Sequence, residues 1–222
     1  GTHNDIGRAI TLDKNGNIYI TGEFSETADF NPGTATNNLT AIDGVDAFVS
    51  KLDASGNFVW IRQLGGTDID KSYSIATDAI GNVYVTGEYR GTIDLDPGKG
   101  VKNFNSAGFS DIFISKLSPT GSYLWARSYG ANIDDKGYSI HIDGSGNVYA
   151  TGLFMVSVYF SPPGVTPDYI TTKGGMDAFA VKLGCTPTTS TKKITACNKY
   201  LFNGTIYTAD NNTAKYTLTN SV

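Results

Sequence analysis

Long apolar runs, blocks of like charge and clusters of cysteine are all missing from this sequence of 222 residues, and each absence removes a class of protein. The longest apolar stretches fall far short of the ~20 residues that a membrane-spanning helix needs. Net charge is −4 with acids and bases scattered, which argues against a basic stripe for nucleic acid. Cysteine occurs only at Cys185 and Cys197 and histidine only at His3 and His141, too few for a zinc site. No helical hydrophobic period runs through the chain, and no G-x-S-x-G, phosphate-loop or dinucleotide fingerprint occurs.

What is present is repetition. "GNVYVTG" at residues 81–87 returns as "GNIYITG" at 16–22 and "GNVYATG" at 146–152, a spacing of 65 residues. Three further markers recur in order. "RAITLD" at 8–13 matches "YSIATD" at 73–78 and "YSIHID" at 138–143. "DAFVSKL" at 46–52 matches "DIFISKL" at 111–117 and "DAFAVKL" at 177–183. "FVWIR" at 58–62 matches "YLWAR" at 123–127, and the third copy of this marker is missing.

Each marker is a short β-branched and aromatic run bounded by Gly, Asn, Asp or Ser, the pattern of a strand with its turns. Called A, B, C and D in order, the runs form A–B and C–D hairpins through turns such as "DKNGN" and "DASGN", where Gly supplies a positive φ. Ile10, Ile75 and Ile140 alternate with small Ala9, Ser74 and Ser139, a contrast suited to sheets stacked on like sheets. The expected fold is therefore all-β: three four-stranded antiparallel β-propeller blades of about 65 residues, part of a larger ring. Gly22, Gly87 and Gly152 read as turn residues ending strand B, and the recurring Asp46, Asp111, Asp177, Lys51, Lys116 and Lys182 read as salt bridges or turn caps. Between B and C, "DFNPG" at 29–33, "DLDPG" at 94–98 and "YFSPPG" at 159–164 predict turns, and residues 38–40, 103–105 and 169–171 a further short strand, so that each loop carries its own small hairpin on one rim.

These ordered motifs resemble the SBBP-type β-propeller repeats of bacterial secreted proteins, with the "DFDPG" loop variant found in Bacteroidota. The resemblance covers roughly residues 1–184. It implies the propeller fold and an extracellular or cell-surface setting, and it supplies no catalytic residues. The expected domains are 1–184 for the blades (1–65, 66–130 and 131–184, the last without its outer strand), 185–192 for a Pro/Thr/Ser linker, and 193–222 for an incomplete β-hairpin repeat. This last segment is similar to small Cys-containing β-repeats near the C-termini of secreted Bacteroidota proteins. The opening "GTHND" aligns with "GTDID" inside the repeat, so the chain reads as a piece of a longer one.

Candidate chemistry is sparse. Asp94 and Asp96 put two carboxylates on one tight turn, a candidate Ca²⁺ site and the sole cofactor suggested; against it, Asn31 replaces the second Asp in the first copy, and Tyr159 and Ser161 replace both in the third. Cys185 and Cys197 are spaced to allow a disulfide, or each bonds a partner elsewhere. His141 occupies the place of Thr11 and Ala76 on an innermost strand and reads as structural. With no converging nucleophile, base and electrophile, the chain reads as a non-enzymatic structural or adhesive module. Its expected partners are other protein chains or further parts of a larger polypeptide. The alternative is a carbohydrate-binding or polysaccharide-active propeller using its central channel or the B–C rim.

Overall fold

The computed structural model describes residues 1, 3–160, 169–183, 199–202 and 205–208, and every described element is a strand or a turn. Strands β1 (Ile6–Leu12), β2 (Ile18–Asp29), β3 (Asn38–Leu52) and β4 (Phe58–Thr77) form the first antiparallel blade. β4 then serves twice. Its first half is the outer strand of that blade, and its second half is the inner strand of the next, followed by β5 (Val83–Asp94), β6 (Asn103–Leu117) and β7 (Tyr123–Tyr129). β8 (Asp135–Ile142), β9 (Val148–Val158) and β10 (Ile170–Leu183) form a three-stranded sheet in the order β10-β9-β8, and β11 (Lys199–Phe202) pairs with β12 (Thr205–Thr208) as a separate hairpin. The chain is thus an all-β set of propeller blades with a small β hairpin after them.

The repeat marker "D..GN.Y" builds the A–B turn. Asp13 accepts the Asn15 and Asn17 backbone N–H groups at one oxygen and the Asn17 amide and Tyr19 hydroxyl at the other, while Gly16 turns the chain at φ 78°. Asp78 and Asp143 repeat the arrangement with Asn82 and Tyr84, and with Asn147 and Tyr149. These bonds hold the Asp143 carboxyl far below the usual range, the Asn147 amide contributing most. At Asp13 and Asp78 burial pushes upward and the hydrogen bonds still prevail.

One local expectation is corrected. Gly22, Gly87 and Gly152 are not turn residues but lie inside β2, β5 and β9, where a Cβ would collide with the carbonyl oxygen of Ile6, Lys71 or Lys136 on the neighbouring strand. The expected B–C hairpin is present in the first two repeats and is continuous with the blade: β2 and β5 run on past an irregularity, and Thr27–Asp29 and Thr92–Asp94 pair with residues 38–40 and 103–105 as a tongue. The reading of the recurring acids and lysines as caps and salt bridges holds at Asp46 and Asp111, which cap the Ile42 and Ala107 N–H groups, and at Lys116, which pairs with Asp78 at 3.7 Å; the lysines also lie over the tyrosine of the facing strand, Lys51 on Tyr19, Lys116 on Tyr84 and Lys182 on Tyr149, at 5.0, 4.8 and 4.8 Å.

The core lies in the seams between sheets. Tyr19, Val49, Trp60 and Leu64 of the first blade pack on Ile75, Val85, Phe113 and Leu117 of the second. Tyr84, Ile112, Ile114 and Tyr129 of the second pack on Ile140, Ala150, Phe179 and Val181 of the third. Polar contacts fix the first seam: the Trp60 indole N–H donates to the Pro119 carbonyl, and the Arg62 guanidinium donates to the carbonyls of Gly121 and Thr120.

Candidate functional site

The sheets converge at their inner strands, where the Ser74 hydroxyl accepts the Ile140 N–H and the Thr77 hydroxyl donates to the Leu12 carbonyl. Each inner strand carries a β-bulge at the same place, between Gly7 and Ala9, Ser72 and Ser74, and Gly137 and Ser139. The extra residue is Arg8, Tyr73 or Tyr138, and a bulge re-aims the side chain it frees. The three make a row. The Arg8 guanidinium lies 5.7 Å from the Tyr73 ring centre, and the Tyr73 and Tyr138 rings meet edge to face at 5.4 Å.

Behind the row stand two buried glutamates, each held from both sides of a seam. Glu23 takes Arg8 of its own blade at 2.8 and 3.1 Å and faces Lys71 of the next at 4.0 Å. Glu88 accepts the Tyr73 hydroxyl and, from the third sheet, Lys136 at 2.9 Å. Every carboxylate there has cationic or hydroxyl partners, so this edge is an ion-paired surface rather than a strained acid–base pair.

The displaced protonation equilibria are elsewhere, enclosed in the seams. Asp46 and Asp111 turn one oxygen to the tongue N–H groups of Ile42 and Ala107, with Gln63 also on Asp46, and among the described residues their other oxygens have no hydrogen-bond partner. Facing them from the next inner strand are Asp70, with neither oxygen partnered, and Asp135, capped by the Ala131 and Met155 N–H groups. Burial, reinforced by Asp46, pushes Asp70 up to about 8; burial raises Asp135 to about 7 and Asp111 to about 6. Their spacing of 65 residues was visible in the repeat, but a repeated Asp gives no sign that a neighbouring sheet encloses it.

Asp94 and Asp96 do fall on one turn. Asp94 accepts the Asp96 and Lys102 N–H groups and Asp96 accepts that of Gly98, so both cap backbone; Asp29 and Asn31 do the same in the first blade. Among the described residues no group of three or more His, Cys, Asp or Glu is placed to hold a metal. His141 is exposed on β8, and His3 pairs with Glu26 at 3.0 Å. Cys185 and Cys197 lie outside the described residues, as do the linker 185–192 and most of the loop beginning "YFSPPG".

On the tongue side of the blades large apolar side chains stand in solvent: Ile42, Val101, Phe109, Tyr169 and Met176 are each at least half exposed. Arg90 lies over the Phe109 ring at 5.2 Å and pairs with Asp68 at 3.3 Å. Exposed aromatic rings and arginine are residue types enriched at protein-contact surfaces.

Comparison with known proteins agrees with the fold. Residues 1–23 and 59–88 match the SBBP β-propeller repeat family, so the repeat is of that type. The chain is similar to an uncharacterized WD repeat-containing protein of Acanthamoeba polyphaga mimivirus, 30% identical over 173 residues, covering 67% of this chain and 12% of that protein. It is also similar to the regulatory protein FlaEY of Caulobacter vibrioides, 24% identical over 181 residues, covering 77% of this chain and 18% of that protein. The chain therefore spans less than a fifth of the length of either relative.

Proposed function

We propose that this chain is a non-enzymatic protein-interaction scaffold, working outside the cell as a structural or adhesive module. The observation that carries the reading is the tongue rim, where Ile42, Phe109, Tyr169 and Met176 are exposed on blades whose seams with one another are filled. The described ionisable groups with strongly raised carboxyl equilibria, Asp70, Asp111 and Asp135, are enclosed between sheets, where a substrate has no access. The similarity to a WD repeat-containing protein supports a scaffold, and the resemblance of the repeat to those of secreted proteins supports the exterior.

The test places a photo-crosslinking residue at Phe109 and, as a control, at Val59, with the chain presented to the surface proteins of its native cells. Cross-links to protein at Phe109, absent at Val59 and abolished by a neighbouring Arg90→Glu, are expected. A glycan array and a polysaccharide-hydrolase panel run on the same preparation should stay blank. Selective glycan binding or turnover would replace this reading with the carbohydrate one.

A further inference from the structure

Positions filled alike in every repeat serve the stacking of blades, so a set filled differently in one blade marks something the stacking does not require. The middle blade carries such a set. Arg90, Phe109 and Asp68 stand where the first repeat has Ser25, Gly44 and His3 and the third has Met155, Gly175 and Ile133. Both neighbours of this blade belong to the chain and pack on it, yet Phe109 is 55% exposed while Phe113 of the same strand is fully buried. The ring therefore stands open on a blade whose two seams are filled.

The three side chains form one unit. The Arg90 guanidinium lies over the Phe109 ring at 5.2 Å, and its Nε meets the Asp68 carboxylate at 3.3 Å. Asp68 is fixed where β4 crosses from the first blade to the second. Its φ is 136°, which residues with a side chain rarely adopt, and its carbonyl oxygen would lie 2.6 Å from a Cβ on Gly44. A ring beneath and a carboxylate at one edge set the plane of the guanidinium. Its two Nη groups have no hydrogen-bond partner among the described residues, and the side chain is 45% exposed.

A guanidinium held in one plane with its Nη donors free is complementary to a single carboxylate, which it takes through two parallel hydrogen bonds. An exposed ring beside it adds an apolar contact and keeps water from the pair. A multiply charged anion fits less well. Asp68 already claims one edge, and Asp134, accepting the hydroxyl of Ser110 next to Phe109 at 2.8 Å, adds a second negative charge. A basic ligand would meet the guanidinium's own charge.

We propose that Arg90 and Phe109 are the docking point for an acidic segment of a partner protein: Arg90 clasps an Asp or Glu side chain, and Phe109 receives an aromatic or large apolar residue next to it. Asp68 acts as a positioning residue for the guanidinium. This docking point presupposes that the chain is an interaction scaffold and adds the chemistry of what it binds.

Panning a phage-displayed library of short random peptides against the whole chain tests it, with the selected peptides then measured singly by fluorescence anisotropy. An Asp or Glu beside an aromatic or large apolar residue should dominate the selection, and replacing that acid by Ala should weaken binding about 10-fold. Arg90→Lys keeps the charge but loses the fork, and Phe109→Ala loses the ring; each should weaken binding at least about 5-fold with the circular dichroism spectrum unchanged. With Asp68→Asn in place the guanidinium is no longer held, so Arg90→Lys on that background should cost less than on the parent. A selection without acids, no selected peptide at all, or affinities indifferent to both Arg90→Lys and Phe109→Ala would overturn the proposal. Cross-links from Phe109 to cell-surface protein alongside any of these results would leave the scaffold standing without this docking point, and glycan turnover would remove both.

Discussion

Ile75 and Ile10 occupy the same place in successive repeats, flanked by the same kinds of residue, and yet one is 6% and the other 66% exposed. The second blade is covered on both faces by neighbours, and the first on one. Tyr84 and Tyr149 make the same comparison on the other side, 1% against 36% exposed. Each repeat therefore encodes two half-interfaces rather than a core of its own, and a blade is stable to the extent that its neighbours complete it.

The largest break in this comparison should come from the isoleucines. Ile75→Ala empties a packed seam and should cost about 3 kcal/mol in denaturant unfolding, whereas Ile10→Ala should cost less than about 0.5 kcal/mol. A similar loss at both sites would show that the seams carry no special weight.

Next in size is the response to pH. The folded chain holds a proton on Asp70 up to about 8 and on Asp135 up to about 7, whereas the unfolded chain releases both near pH 4. Between those values the folded state binds more protons, so stability is full below about pH 4, falls as pH rises toward 8 and then levels off. The expected loss from pH 5 to pH 6 is on the order of 2 kcal/mol, and Asp70→Asn should flatten about half of it. Urea melts at the two pH values check this, and a chain that gains stability across that range would contradict the enclosed carboxylates.

The smallest effect is expected at a paired glycine position. A Cβ on Gly137 would collide with the Thr86 hydroxyl and touch Ile112 across the second seam, while one on Gly7 meets nothing within 4 Å. Gly137→Ala should cost about 1–2 kcal/mol and Gly7→Ala no more than about 0.5, compared by thermal melting.

Much of the fold was legible because a repeat displays its own rules. The strands, the A–B turns and the stacking of like sheets follow from alternation, from Gly at positive φ and from the 65-residue period, all of which are local. The glycines of strand B were visible as invariant but misread, since their reason is the carbonyl of the hairpin's other strand, pressed against them by a bulge that no local pattern announces. For the same reason the sequence could not single out Arg8, Tyr73 and Tyr138 as a row, nor separate Asp70 from Asp78 as the carboxyl that keeps its proton. By itself the sequence determined which residues form strands and turns, because those choices depend on neighbours a few residues away. Which face of each strand is enclosed, which acids lose water and which apolar side chains are left open was decided only by sheet on sheet, because burial is a property of what packs from elsewhere in the chain.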